Sequence, residues 1–370
     1  MRRKYDVAAF VYPAYSGHDK RARVFWPEGI GEWETVQHGP RSWEDAYRLR
    51  KPMWGYVNEA DPFVMEMEIE AATRHGVNVF IYDWYWYDNR PYLEDSLNDG
   101  FLKAANRDKM KFYLMWANHE AGIAWDNRNA GFVDEYLWDG AADFETFKTI
   151  TARLIDKYFK QPTYYTIDGK PVFAIYELGH LVRGLGGLEN TKKAMNYMRE
   201  ECIKAGLPGI HYQLILQYPE VPNFSGLDGK AMSFADAAGV LDFDSATHYQ
   251  FVHMFNCSRP YADVLKDVKG IYDLETAPDK PPYFPHVSIG WDNNLRFKTP
   301  NNNITTNNEP AEVKKGFQMA KEYLDAHPDQ VPLVTVNSWN EWTETSYLQP
   351  DYLYGYGYLE AVRDVFLGEE

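Results

Sequence analysis

The sequence predicts an α/β fold, a single (β/α)8 TIM barrel over residues 1–370 with long loops at the C-terminal face of the strands. Three observations lead there. Apolar, β-rich runs alternate with helix-like stretches eight times. The runs are near-continuously apolar, as in parallel strands buried on both faces. Eight strand-then-helix repeats favour a closed barrel over an open doubly wound sheet, and no Gly-x-Gly-x-x-Gly follows the first strand to support dinucleotide binding.

Asp6 to Tyr12 reads as the first strand, and the irregular stretch Ala14 to Val57 follows it. Helical periodicity then covers Asp61 to His75, before a second strand at Asn78 to Trp84 and a helix over Leu93 to Asn106. Lys111 to Trp116 is the third strand, with a long loop to Trp138 and a helix from Asp143 to Phe159. Pro171 to Tyr176 is the fourth. Its helix spans Glu189 to Ala205, opened by Asn190-Thr191 and closed by Gly206-Leu207-Pro208. His211 to Leu216 and Phe243 to His248 are strands five and six, joined through a weaker helix at Lys230 to Ala238. A helix over Tyr261 to Leu274 leads to strand seven, Phe284 to Ile289. Asn308-Glu309-Pro310 then opens a helix reaching His327, with proline near the first turn. Leu333 to Val336 is the last strand, and Gly357 to Phe366 closes the chain as a helix. The long loops fall after strands, where barrels build binding walls.

Composition narrows the function. The net charge of −16 argues against phosphate-backbone partners, so nucleic acid is excluded, and also against anionic membrane surfaces. Aromatics make up 16% of the chain, with 28 Tyr and 12 Trp. Amphipathic rings suit sugars, although many must also fill a core this large. Cys202 and Cys257 have no metal-type spacing. No run approaches the roughly 18 apolar residues needed for membrane insertion. The basic start, Met1-Arg2-Arg3-Lys4, leads directly into the first strand and not into a secretory-signal pattern. The compartment stays open, with a cytoplasmic place favoured.

The C-terminal strand ends carry carboxylates, amides and large rings, and in barrel enzymes that is where chemistry occurs. The richest stretch is Asn340-Glu341-Trp342-Thr343-Glu344 after the eighth strand. Residues three apart on an extended strand face opposite ways, so for Glu341 and Glu344 to meet one substrate the backbone must curl after Asn340. Two carboxyl groups with separated pKa values are what glycoside cleavage needs, and tryptophan neighbours could supply the separation by desolvation. Candidate substrate-binding residues are Tyr12, Trp33, Asp83, Trp84, Trp86, Trp116, Asn118, Glu120, Glu177, Tyr249, Trp291, Asp292, Asn340, Trp342 and Tyr347. Asp83 either orients a sugar hydroxyl or serves as a buried ion-pair partner. Trp291-Asp292 reads as a stacking platform beside a hydroxyl acceptor, or as core. His119-Glu120 and His248 lack His-x-His or His-x-x-x-His spacing, so neither metal nor cofactor is expected. No Gly-x-Ser-x-Gly turn and no phosphate loop is present.

Trp339-Asn340-Glu341-Trp342-Thr343-Glu344, with Tyr347-Leu348-Gln349-Pro350-Asp351 and Tyr354 to Leu359, resembles glycoside hydrolase family 99 and its WbsX-like relatives. Trp116-Ala117-Asn118, Tyr82 to Trp86 and Gly31-Glu32-Trp33 also match the relatives' pattern. The resemblance covers nearly the whole chain. It implies a barrel acting on α-linked, mannose-type sugars with retention of configuration. It further implies that Glu341 deprotonates the sugar's own 2-hydroxyl to form a 1,2-anhydro intermediate, with Glu344 as general acid and then base. After Trp-Ala-Asn the relatives continue Glu-Asn-Trp-Thr-Arg-Arg-Trp. Here the chain departs, reading His119-Glu120-Ala121-Gly122-Ile123-Ala124-Trp125.

The expected function is therefore a retaining glycoside hydrolase with an oligosaccharide or polysaccharide substrate. A glycosyltransferase of surface-polysaccharide assembly is the first alternative. Its Asp-x-Asp, Asp242-Phe243-Asp244, would open strand six at the end opposite the chemistry. A catalytically silent carbohydrate-binding barrel is the second.

Overall fold

The computed structural model describes residues 4–39, 50–122, 125, 136–217, 224–225, 231–232, 234–277, 280–298 and 302–368. Eight parallel strands form the barrel: β1 Asp6–Val11, β2 Val79–Tyr87, β3 Lys111–Trp116, β4 Lys170–Ile175, β5 His211–Leu216, β6 Ser245–His248, β7 His286–Ser288 and β8 Leu333–Asn337. Their order is β6-β5-β4-β3-β2-β1-β8-β7, as a (β/α)8 barrel requires. The ring nearly closes between β6 and β7, where Ala246 bonds Pro282 and Phe284 just before β7 begins. Registers such as Asp6 opposite Leu333 and Ala8 opposite Val79 align the strand ends at one mouth.

The helices are α1 Trp33–His38, α2 Pro62–Arg74, α3 Phe144–Leu154, α4 Leu178–Leu185, α5 Leu188–Lys204, α6 Phe234–Val240, α7 Tyr261–Glu275, α8 Pro310–Ala326 and α9 Gly357–Phe366. Their punctuation is chemical. Asp61 and Asp143 accept backbone N–H bonds at the starts of α2 and α3, and Pro310 occupies the first turn of α8. Gly206, in the left-handed region, ends α5.

Several expected boundaries move. Gly187 precedes the first residue of α5, so Asn190 and Thr191 lie inside its first turn instead of opening it. The helix expected over Leu93 to Asn106 breaks into a π-turn at Ser96–Gly100 and 3-10 turns at Phe101–Lys103 and Arg107–Lys109. Asn98-Asp99-Gly100 has poor helix propensity. A Cβ on Gly100 would also sit 2.2 Å from the Glu59 carbonyl oxygen, so the chain is drawn against that backbone. β2 runs on to Tyr87 because a turn at Asp88-Asn89, both with positive φ, folds Arg90–Tyr92 back on it. The weak helix after strand five spans Phe234–Val240, and its expected start at Lys230 lies outside the described residues. Two helices, α1 and α4, fall where loops were expected.

Candidate active site

A cavity of about 310 Å³ opens at the C-terminal mouth. Strand alternation selects its wall. From β2, Asp83 and Tyr85 point inward, while Trp84 and Trp86 point out to the helix layer. Tyr12, Ala117, Tyr176, Glu177 and Tyr249 come from other strand ends, and Glu341 and Glu344 from the segment after β8. That segment curls as the spacing requires. Asn340–Glu341 pairs antiparallel with Ser346–Tyr347, Trp342–Glu344 forms a 3-10 turn, and Thr345 adopts the left-handed conformation. The curl brings both glutamates to one cavity.

Arg296 joins them. Its Nη2 donates to Glu341 Oε1 at 2.7 Å and its Nη1 to Glu344 Oε1 at 2.7 Å, while Nε donates to Glu32 Oε1 at 3.1 Å. The turn carrying Arg296 is fixed by Asp292, whose Oδ1 accepts from Asn294 N at 3.0 Å. The Asp292 N–H in turn donates to the Glu344 carbonyl at 2.8 Å. Glu32 is held by glycine geometry. A Cβ on Gly31 (φ +64) would lie 1.9 Å from the Ala14 carbonyl oxygen, which accepts the Glu32 N–H.

The two motif carboxyls differ in surroundings. Glu341 Oε2 also lies 3.1 Å from the Tyr249 hydroxyl, so each of its oxygens has a donor within reach. Among the described residues nothing donates to Glu344 Oε2, and this side chain is 12% exposed against 3% for Glu341. Burial, then the charge of Glu341, pushes the Glu344 carboxyl up to about 8. Burial also raises Glu341, but Arg296 and the Tyr249 hydroxyl oppose the rise. Glu32 is raised to about 7 by burial, with Arg296 pulling the other way. Asp83 stands well above the usual carboxylate range, through burial and then the charge of Glu341. Its Oδ2 lies 2.9 Å from the same Tyr249 hydroxyl, whose single proton serves either Asp83 or Glu341. Asp83 Oδ1 and the Tyr12 hydroxyl have no partner among the described residues.

Of the residues picked out by sequence, Tyr12, Asp83, Glu177, Tyr249, Glu341 and Glu344 line the cavity; Trp33, Trp84, Trp86, Trp116, Asn118, Glu120, Trp291, Asp292, Asn340, Trp342 and Tyr347 do not. Each of the latter has a packing or bracing position. Trp84 Nε1 donates to Glu94, and Trp84 packs on Trp86 and Trp116. Trp33 Nε1 donates to the Val57 carbonyl. Trp342 stacks on Tyr347 with ring centroids 3.7 Å apart. Asn118 bridges β3 to β4 through the Glu177 backbone, and Asn340 ties the Tyr12 backbone to Glu59. Glu120 pairs with His180 and Arg183, and Trp291 is buried. Glu177 has one oxygen committed to capping α4. Arg296, Tyr85, His119, Trp125, Tyr176 and Gln217 also line the cavity. Five of these six sit in or beside the strand-end clusters read from sequence. Arg296 lies in an Asn-rich loop with no motif around it. His248 is not among the lining residues and meets the Tyr283 hydroxyl. Asp242-Phe243-Asp244 lies at the N-terminal end of β6, where Asp244 accepts from Tyr212 N.

A parallel eight-stranded barrel with carboxylates gathered at its strand-end mouth places the chain in the (β/α)8-barrel fold class. Within it, the chain belongs to the family described as Glycosyltransferase WbsX, whose model matches residues 7–362. Two curated relatives, each called Uncharacterized protein WxcX, come from strains of Xanthomonas campestris pv. campestris. Both are 26% identical over 92% of this chain. The chain spans about half their length, 46%. Among solved structures, the GH99 endo-alpha-mannosidase from Bacteroides thetaiotaomicron superposes with a TM-score of 0.61. It is 15% identical, over 96% of this chain and 95% of that one. A glycoside hydrolase-like protein gives 0.59 at 16% identity, over 99% and 94%. These likenesses show the shared fold. Among the described residues no helix is long and apolar enough to cross a membrane.

Proposed function

We propose that the chain is a retaining glycoside hydrolase of α-linked, mannose-type glycans, with Glu344 as general acid/base and Glu341 as base. The observation that carries this is the contrast between two carboxyls in one cavity. Glu341 has a donor within reach of each oxygen, whereas among the described residues nothing donates to one oxygen of Glu344, whose carboxyl is pushed up to about 8. Such a pair divides acid and base roles near neutrality. Glu341 takes the proton of the sugar's 2-hydroxyl, that oxygen attacks C1, and Glu344 protonates the departing oxygen. Water then opens the 1,2-anhydro ring at C1, giving its proton to Glu344 while Glu341 returns the proton to O2. Two inversions give retention. Asp83 Oδ1 and the Tyr12 hydroxyl, buried without partners among the described residues, are suited to sugar hydroxyls.

Wild-type and Glu344→Gln proteins are to be incubated with α-mannans and mixed bacterial glycans, following reducing ends and the product anomer by NMR. Wild type should release sugar with the α anomer first, and the variant should be slower by about 10³-fold. Equal release by both would sink the assignment. The family description names a glycosyltransferase, and calorimetric binding of a nucleotide sugar would favour that alternative. The Asp-x-Asp at the far end of β6 gives it no support. Glycan binding without turnover would favour a silent barrel.

A further inference from the structure

Arg296 ends three nitrogens on three separate carboxylates: Nε on Glu32, Nη1 on Glu344 and Nη2 on Glu341. Glu32 is fully buried and is not among the cavity-lining residues. Its second oxygen accepts from Thr343 at 3.1 Å, between the two motif glutamates in sequence. The guanidinium is thus clamped from the closed side by Glu32 and presents its fork to the pair.

We propose that Arg296 and Glu32 are a positioning pair, Arg296 fixing one oxygen of each motif glutamate and Glu32 holding the guanidinium in place. The roles of the glutamates rest on the hydrolase reading; the way they are held does not. With one oxygen of Glu344 tied back, the other is left toward the cavity. A planar fork does this and a lysine ammonium cannot, because a point charge lacks two parallel donors at fixed spacing.

The pair also sets charge. The ionisable groups around Arg296 are Glu32, Glu341 and Glu344, with Asp83 from β2, His119 after β3 and Glu177 after β4 on the same wall. Burial lowers His119, leaving it neutral at neutral pH. The nearby tyrosines, Tyr12, Tyr15, Tyr85, Tyr176 and Tyr249, are pushed well above 10 and stay silent. Arg296 lowers the Glu344 carboxyl and Glu32 raises it. By charge alone, removing each would move Glu344 in opposite directions; as a positioning pair, losing either loosens the Arg296–Glu344 bond and raises the Glu344 carboxyl.

The test is a carboxyl-¹³C glutamate NMR titration of the full chain as wild type, Arg296→Gln and Glu32→Gln, with the Glu344 signal assigned by its loss in Glu344→Gln. The Glu344 midpoint should rise by about one pH unit or more in Arg296→Gln, and in Glu32→Gln the released guanidinium should keep it from falling as the lost negative charge alone would require. No movement in Arg296→Gln, or a fall in Glu32→Gln, overturns the proposal. Should Arg296→Gln not fold, Arg296→Lys replaces it. Its midpoint should rise by less, and kcat should drop with KM held; wild-type behaviour in both measurements overturns the proposal. The titration needs no substrate. A wild type inert on every glycan would defeat the hydrolase reading and leave the titration to decide the positioning role.

Discussion

Glu341 and Glu344 end in the cavity, whereas Trp339, Asn340 and Trp342, interleaved with them in the same six residues, end in a closed layer behind it. There Trp339 Nε1 donates to Glu68, Asn340 Nδ2 to both oxygens of Glu59, and Trp342 Nε1 to Gln349. β2 repeats the division, with Asp83 and Tyr85 inward and Trp84 and Trp86 outward. The lesson is that a dense aromatic-acid motif is two structures read in one line. One face lines the cavity, and the other holds that face at a fixed depth. The two can be separated because substitutions on each should register in different measurements.

The largest stability effect is expected on the closed side. Asn340 receives the Tyr12 N–H at 2.8 Å, donates to the Tyr12 carbonyl at 2.9 Å, and donates to Glu59. Asn340→Ala strands several buried partners, one of them a carboxyl group, and should cost about 4 kcal/mol by urea denaturation. A cost under about 1 kcal/mol would mean that this layer relaxes, and the division between the faces would blur.

A smaller and pH-dependent effect belongs to Glu68, whose carboxyl is raised from 4.5 to about 7 by burial, with the Trp339 bond opposing. For a carboxyl raised on folding, the protonated form suits the native state. Stability is therefore greatest below the unfolded value and is lost as pH climbs toward the folded one. Glu68→Gln keeps an acceptor for Trp339 and removes that titration. Relative to wild type it should gain stability between pH 5 and 8, by about 1.4 kcal/mol per pH unit of the shift. A gap that stays constant over that range would show that Glu68 does not titrate there.

Much of this was legible beforehand, and the limits have physical causes. Parallel strands buried on both faces leave apolar runs that can be read directly, so the barrel is visible in the sequence, and so is the placing of Glu341 and Glu344 at its mouth. The facing of Trp84 against Asp83 depends on where each strand's alternation starts, and ring-rich segments look alike in either phase. Arg296 was invisible for another reason. Its partners lie at residues 32, 341 and 344, and only barrel closure brings three distant loops together. A lone arginine in an Asn-rich loop has no local pattern announcing such a role.

The smallest effect tests the facing of β2 directly. Trp84 Nε1 donates to Glu94 Oε1 at 2.8 Å, and Glu94 also accepts from Asn98 and Arg153. Trp84→Phe keeps the ring packing and removes one of several donors, so about 1 kcal/mol should be lost in urea denaturation with glycan turnover unchanged. Its neighbour Asp83→Asn should do the reverse. A neutral amide in place of a buried carboxyl whose pKa is already raised keeps the fold. Asp83 Oδ1, unpartnered among the described residues, gives way to an amide that can present either its oxygen or its nitrogen, and turnover should fall. If Trp84→Phe slowed turnover and Asp83→Asn did not, the inward and outward faces of β2 would have to be exchanged. The cavity would then be lined by indoles where the structure puts a carboxyl group.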